Sequence, residues 1–295
     1  MRWGILGDGA IGGLYAAHLA HAGYPVSLVM SKKFANSQTQ RNLTYRDDQT
    51  QYQVNLPIEQ TSEHCDILLI CTKSYQVHEA LQTIDLSPHC ELLSLHNGMG
   101  PQQQILTNYP ENLLWAGTTT HGVERQDNQI THRGCGITTV GRYPKNNDLE
   151  RAPAWLDELN NALPEVVFEP NIEIALWRKL AINCVVNPLT AIDQCLNGEL
   201  LSPSYQPVIR ELCHEISQVA NACQIPLSCG EIEQLVQQVC KRTAGNHSSM
   251  AQDVYHRRPT EIKMINGYVL EMAKRYNLDV PFNTHLVKNL TTGEF

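Results

Sequence analysis

A glycine turn at the start of the chain constrains the fold more than any other stretch. A short apolar run (Trp3, Ile5, Leu6) leads into Gly7-Asp8-Gly9-Ala10-Ile11-Gly12. An Ala- and Leu-rich segment then fills residues 14–22, and Gly23 closes it. Strand, glycine turn, helix and helix stop is the order that a dinucleotide site requires. Gly7 permits the tight turn, Gly9 lets the backbone approach a pyrophosphate, and Gly12 lets the helix pack closely on the strand. Free N–H groups at the helix start face the phosphates. The alternative, a purely structural glycine turn, leaves this ordered context unexplained.

The pattern from residue 25 onward supports a doubly wound α/β domain. Residues 25–30 read as a second strand. Residues 36–62, rich in Gln, Asn and Thr, read as a polar excursion with one or two short strands. The run DILLICT at residues 66–72 has an uninterrupted apolar centre, as buried parallel strands do, and the run at 91–95 is another such strand. A helix is expected over 76–84, a strand over 113–117 and an antiparallel edge over 130–140. Ligands in such sheets sit beyond the carboxyl ends of the strands, where Lys73 and Asn97 fall. After a last short strand at 164–170 the character changes to helical periodicity, with helices expected over 172–187, 205–223, 230–242 and 260–276, and a short one after Pro281. The expected organisation is a Rossmann-type domain at 1–169 and an all-helical domain at 170–295.

Composition narrows the partner. A net charge of −8 argues against a nucleic-acid surface. The uninterrupted apolar stretches are of strand length, so no membrane span is expected. The chain enters its first strand at once, so no signal peptide is expected, and its ten cysteines form no CxxC pair. They read as reduced core residues of a cytoplasmic protein. The twelve histidines have neither HxxxH nor HExxH spacing, so no metal site is expected. A small molecule is the expected partner.

The end of the second strand bears on the cofactor. An enzyme selecting NAD places an acid there, roughly 20 residues past the glycine turn, for the ribose 2′-hydroxyl. Here Ser31, Lys32 and Lys33 follow Met30, and no acid comes before Asp47. Ser31 and the lysines suit a 2′-phosphate, hence NADPH; the alternative is a solvated turn.

The second landmark is the segment at 176–187, in which Lys179, Asn183 and Asn187 recur at i, i+4 and i+8. That spacing keeps them on one helix face, drifting about 40° per step. Beyond Lys179 the segment is otherwise apolar, so the helix is buried and its polar groups must find partners or face a cleft. An ammonium there can stabilise the oxyanion that forms as hydride reaches a ketone, and can donate the proton; the alternative is a lysine that snorkels to water and asparagines that cap or bond locally. Pro188 makes Asn187 a plausible helix end. Glu261 is a candidate carboxylate partner, or else a helix-dipole residue in a first turn. Ser249 is a candidate ligand contact, or else caps a helix with Gln252 in a capping box.

Taken together, these blocks resemble the ketopantoate reductase (2-dehydropantoate 2-reductase) family along nearly the whole chain. The likeness rests on GDGAIGG from Gly7, CTKSYQ around Lys73, HNGMG from His96 and GTTTHG from Gly117. It continues in LWRKLAINCVVNPLTAI from Leu176, NGEL from Asn197, NHSSMAQDV from Asn246 and RPTEIKMINGYV from Arg258. The resemblance implies NADPH-dependent reduction of ketopantoate to pantoate in pantothenate biosynthesis, by a monomer or homodimer with its site in an interdomain cleft. It implies Lys179 as general acid and Glu261 as its positioning partner. Asn183, Asn187, Ser249 and Asn97 would contact substrate. Gly7, Asp8, Gly9, Ala10, Ile11, Gly12, Lys73 and Asn97 would line the cofactor. One departure stands out: the family often carries an arginine after the second strand for the 2′-phosphate, and here that position is Ser31, with Lys32 as its substitute. Two rivals share part of the pattern. One is a reductase of the same architecture acting on another 2-oxo or 3-hydroxy acid. The other is a dinucleotide-sensing protein without catalysis, which has no need of Lys179, Ser249 and Glu261 together.

Overall fold

The computed structural model describes residues 1–30, 38–145 and 151–292. The chain divides into two compact units, Met1–His96 with Pro101–Ala175, and Asn97–Gly100 with Leu176–Phe295.

In the first unit β1 (Trp3–Leu6) is buried at every residue and leads through the glycine turn into α1 (Ala10–His21). β2 (Val26–Val29) is likewise buried throughout. The polar excursion forms a hairpin of β3 (Gln40–Arg46) and β4 (Gln51–Glu59). Then come β5 (Ile67–Ile70), α2 (Val77–Gln82), β6 (Glu91–Ser94), α3 (Pro101–Asn108) and β7 (Leu114–Thr119). β8 (Gly122–Gln126), β9 (Gln129–Gly134), β10 (Thr138–Arg142), α4 (Leu156–Ala162) and β11 (Val166–Phe168) complete it.

Among the described residues the strands join in the order β11-β10-β7-β6-β5-β1-β2-β4-β3-β9-β8. Neighbours from β7 to β4 run parallel, while β10 is antiparallel to β7, β3 to β4 and β8 to β9. The all-apolar strands sit in the middle, where both faces are covered. The β3, β4, β8 and β9 end of the sheet packs against α1. A side chain at Gly13 would meet Ile130 of β9, and Tyr45 of β3 lies edge-on to His18 with ring centroids 4.5 Å apart. One apolar core therefore includes Leu14, Leu28 and Leu69 together with Leu43, Tyr45 and Ile130.

The second unit is helical. Its boundary falls inside α5 (Ile172–Asp193), which is followed by α6 (Gln206–Ala222), α7 (Cys229–Arg242), α8 (Ser249–Tyr255), α9 (Asn266–Arg275) and α10 (Pro281–Thr292). Two expected boundaries shift for identifiable reasons. The helix expected to stop at Asn187 runs on through Pro188 to Asp193. Proline has no N–H for the carbonyl four residues back, and that carbonyl, of Cys184, accepts a hydrogen bond from Asn266 Nδ2 at 2.8 Å instead. The helix expected from residue 260 begins only at Asn266. The Met264 carbonyl, which a continuous helix would use internally, accepts from the Met99 N–H at 2.9 Å, so residues 261–265 close a turn. No helix among the described residues is long and apolar enough to cross a membrane.

Candidate active site

The carboxyl end of β1 is a switch point. The chain leaves β1 for β2 on one side and returns to β5 on the other, which opens a crevice where the strand order reverses. Gly7 sits there with φ +97°, and a Cβ on it would lie 2.6 Å from the Thr72 backbone nitrogen in the loop after β5. A Cβ on Gly12 would run into the Gly7 carbonyl oxygen, so helix and turn touch as backbone. Gly9 is different, because a Cβ there would meet nothing within 4 Å. It is the N-cap of α1, no side chain caps it, and the first turn carries no acid. Ala10 and Ile11 open this helix. The first N–H groups of a helix have no carbonyl partner within it, and at the positive end of this 12-residue helix, with open space at Gly9, they fit a pyrophosphate. Lys73 lies at the carboxyl end of β5, as the N-cap of a short 3-10 turn at Ser74–Gln76. Asp8 is not turned idly to solvent: its Oδ2 is paired with Arg41 of β3 and lies 3.2 Å from Arg125 of β8. Ser31 and Lys32, expected at the 2′-phosphate, lie outside the described residues.

The second unit holds the titratable group. Lys179, Asn183 and Asn187 follow one another at successive turns of α5. Lys179 and Asn183 are half-buried, and Asn187 is 6 % exposed. Burial pulls the Lys179 pKa down to about 8, against the opposing pull of the Glu261 carboxylate. Glu261 is itself buried, at 4 % exposure, and its Oε2 accepts from Asn97 Nδ2 at 3.2 Å. Because α9 starts five residues later, Glu261 is not a first-turn dipole residue. The main chain holds Asn97 in place. Met99 N–H donates to the Met264 carbonyl, and a side chain at Gly98 would collide with that same carbonyl. The HNGMG segment and the turn that presents Glu261 are thus docked backbone to backbone. Asn97, Glu261 and Lys179 form one electrostatic group.

Ser249 is exposed at the first position of α8. The helix cap is its neighbour: Ser248 Oγ accepts from the Ala251 N–H at 3.1 Å and from the Thr190 hydroxyl of α5 at 2.7 Å. The capping box expected from Ser249 and Gln252 is therefore replaced by a cap from Ser248, which leaves Ser249 outside the cap. The approach to α8 is fixed by Asn197 N–H donating to the Asn246 carbonyl at 2.9 Å and by Gly198 N–H donating to the Ala244 carbonyl at 3.1 Å. Two polar residues carry no signal in the sequence. Asp253 of α8, 3 % exposed, accepts from Arg258 Nε at 3.1 Å. Asn266, fully buried, bridges Cys184 and Asn283 Oδ1, the latter at 2.9 Å. An acid three residues past an apolar one, and an Asn at a helix start, are too common to flag either.

Comparison with known proteins decides the family. Residues 3–145 match the family described as "Ketopantoate reductase PanE/ApbA", and residues 171–294 match "Ketopantoate reductase PanE/ApbA C terminal". The chain belongs to the ketopantoate reductase family. A protein named 2-dehydropantoate 2-reductase from Vibrio cholerae is 41 % identical over 299 residues, covering 98 % of this chain and 97 % of its own. One of the same name from Yersinia pestis is 33 % identical over 306 residues, covering 100 % and 95 %. Among solved structures, D-mandelate dehydrogenase with NADH and anilino(oxo)acetate superimposes with a TM-score of 0.89 at 24 % identity, covering 99 % of this chain and 97 % of that one. That likeness carries the fold alone.

Proposed function

We propose that the chain is an NADPH-dependent 2-dehydropantoate 2-reductase, converting ketopantoate to pantoate. The observation that carries this reading is Lys179: an ammonium on α5, its pKa lowered to about 8 by burial and its charge countered by the buried Glu261. A proton donor works best with a pKa near the working pH.

In this reading Gly7, Gly9 and Gly12, with Asp8, Ala10 and Ile11 between them, cradle the pyrophosphate through the backbone, and Lys73 and Asn97 border the nicotinamide. Ser31 and Lys32 remain candidates for the adenosine end. When bound there, the reduced nicotinamide would supply the hydride for the C2 ketone carbon. Lys179 Nζ donates a proton to the ketone oxygen as negative charge develops there, so that C=O becomes CH–OH and the lysine is left neutral until water reprotonates it. Glu261 stabilises the ammonium beforehand, and Asn97 Nδ2 holds the carboxylate in place. Asn183 and Asn187, one and two turns on from Lys179, bind the substrate's hydroxyl and carboxylate, and Ser249 adds a further contact to the carboxylate. The family relatives support the substrate, and the charge balance around Lys179 supports its role.

The deciding experiment follows cofactor absorbance with NADPH and NADH, each against ketopantoate and against simpler 2-oxo acids. Turnover fastest with NADPH and ketopantoate is the expected result. Preference for an unbranched 2-oxo acid would move the assignment to a different reductase of this fold.

A further inference from the structure

The sequence places serine where a 2′-phosphate partner is expected, yet the structure brings two arginines to the glycine turn. Arg41 and Arg125 both pair with Asp8, and the three side chains are 18 %, 21 % and 23 % exposed. An acid inside a phosphate-binding turn repels the ligand unless it is neutralised. One arginine is enough for that; this turn has two. The cluster carries one net positive charge, beside the positive end of α1. Burial, and the neighbouring Arg125 guanidinium, hold the Arg41 pKa below its ordinary value, though guanidinium groups stay charged in proteins.

Register says where Arg41 comes from. β4 runs parallel to β2 and β3 antiparallel to β4. β3 therefore starts toward the carboxyl end of β2, and Arg41 is its second residue. Its backbone lies on the β2 side and its guanidinium reaches the turn after β1. In a dinucleotide fold the adenosine ribose occupies the gap between those two points, with its 2′ position toward β2. We propose that Arg41 is the residue of this chain that binds the cofactor's 2′-phosphate and so selects NADPH over NADH. This rests on the dinucleotide function proposed for the turn. Asp8 holds Arg41 in place until cofactor arrives, and Arg125 keeps Asp8 neutralised once Arg41 turns to the phosphate. A planar guanidinium suits this exchange, since it can grip a carboxylate or a phosphate with two parallel hydrogen bonds.

The test is direct binding, by calorimetry, of 2′,5′-ADP, 5′-AMP, NADPH and NADH to the wild-type protein and to Arg41→Gln, Arg41→Lys and Lys32→Gln. Arg41→Gln is expected to weaken 2′,5′-ADP and NADPH by about 10- to 100-fold, the range for a hydrogen bond to a charged group. NADH and 5′-AMP should weaken far less, so that the ratio of the two affinities collapses. Arg41→Lys, which keeps the charge and the ion pair with Asp8, should lose only part of the preference, and it serves alone if Arg41→Gln does not fold. Equal weakening of NADPH and NADH would overturn the proposal by placing Arg41 at the pyrophosphate. So would a ratio that moves with Lys32→Gln and not with Arg41. A wild type that binds neither dinucleotide would remove the proposed function itself. A wild type that reduces ketopantoate equally well with both cofactors would leave that function standing and sink this inference alone.

Discussion

The glycine turn and the Lys179 helix solve opposite problems. At the turn the proposed working parts are backbone N–H groups, and the sequence leaves side chains out at Gly7, Gly9 and Gly12, where helix and turn meet as backbone or space stays open. At α5 the proposed working part is one side-chain charge, which burial desolvates and Glu261 counters. The first site costs little to build, since its groups are neutral and a ligand or water satisfies them. The second holds a partly desolvated ammonium, which is unfavourable unless other charges and dipoles are fixed nearby. The substitutions that separate these two modes differ in what they destroy.

The largest effect belongs to the charge. Lys179→Ala should fold and still bind cofactor, but lose roughly 10²- to 10⁴-fold in kcat, the range for a positioned proton donor. Initial rates and cofactor binding on the same preparation separate these effects. Near-normal turnover in a folded variant would leave α5 as an ordinary buried helix and erase the contrast.

The next effect tests whether the buried framework around α5 is as demanding as its charge. Pro188 leaves the Cys184 carbonyl without its usual donor, and Asn266 supplies one. Asn266 also donates to Asn283 Oδ1, and Asn283 Nδ2 donates to Glu215 Oε2 at 2.8 Å. Asn266→Leu strands two buried acceptors, at about 1–3 kcal/mol each. Urea unfolding should show the lower midpoint. An unchanged midpoint would mean that α5 needs no outside support at its proline.

The turn predicts a different split. Gly7→Ala forces a positive φ on a residue with a Cβ and presses it against Thr72, at about 1–3 kcal/mol of stability. Gly9→Ala meets no protein atom within 4 Å, so stability should stay within about 0.5 kcal/mol while dinucleotide affinity falls. Thermal melts with and without NADPH distinguish them. Loss of stability in Gly9→Ala would show that its space is structural and not a ligand's.

Legibility in the sequence divides along the same line. Glycine spacing reports backbone geometry directly, so the turn, β1 and α1 can be read off residues 3–23, and the i, i+4, i+8 stripe of α5 can be read from periodicity. The partners cannot. Asn97 meets Glu261 across 164 residues of sequence and Asn266 meets Cys184 across 82, and periodicity assigns a residue to a face without saying what covers that face. The helix boundaries expected at Asn187 and Thr260 are misplaced for the same reason, because a distant donor decides each of them. Arg41 is invisible in the sequence because it sits in a polar excursion without a motif, 33 residues from the carboxylate it pairs with.

The smallest effect separates charge from shape at Glu261. Lys179 must be protonated to act as an acid, and its pKa is about 8. The rate of ketone reduction should therefore be flat below that pH and fall about tenfold per unit above it. Glu261 acts to raise that pKa, so Glu261→Gln should move the fall to lower pH, by about one unit, the small end of the range for a nearby opposite charge. A glutamine carbonyl oxygen can still accept from Asn97 Nδ2, so the docking of the HNGMG segment should survive and thermal stability should change little. A shifted pH profile with an unchanged melt would identify Glu261 as the group that keeps Lys179 charged. A lower melt with an unshifted profile would mean that Glu261 ties down its turn and that the ammonium draws its stabilisation from elsewhere on α5.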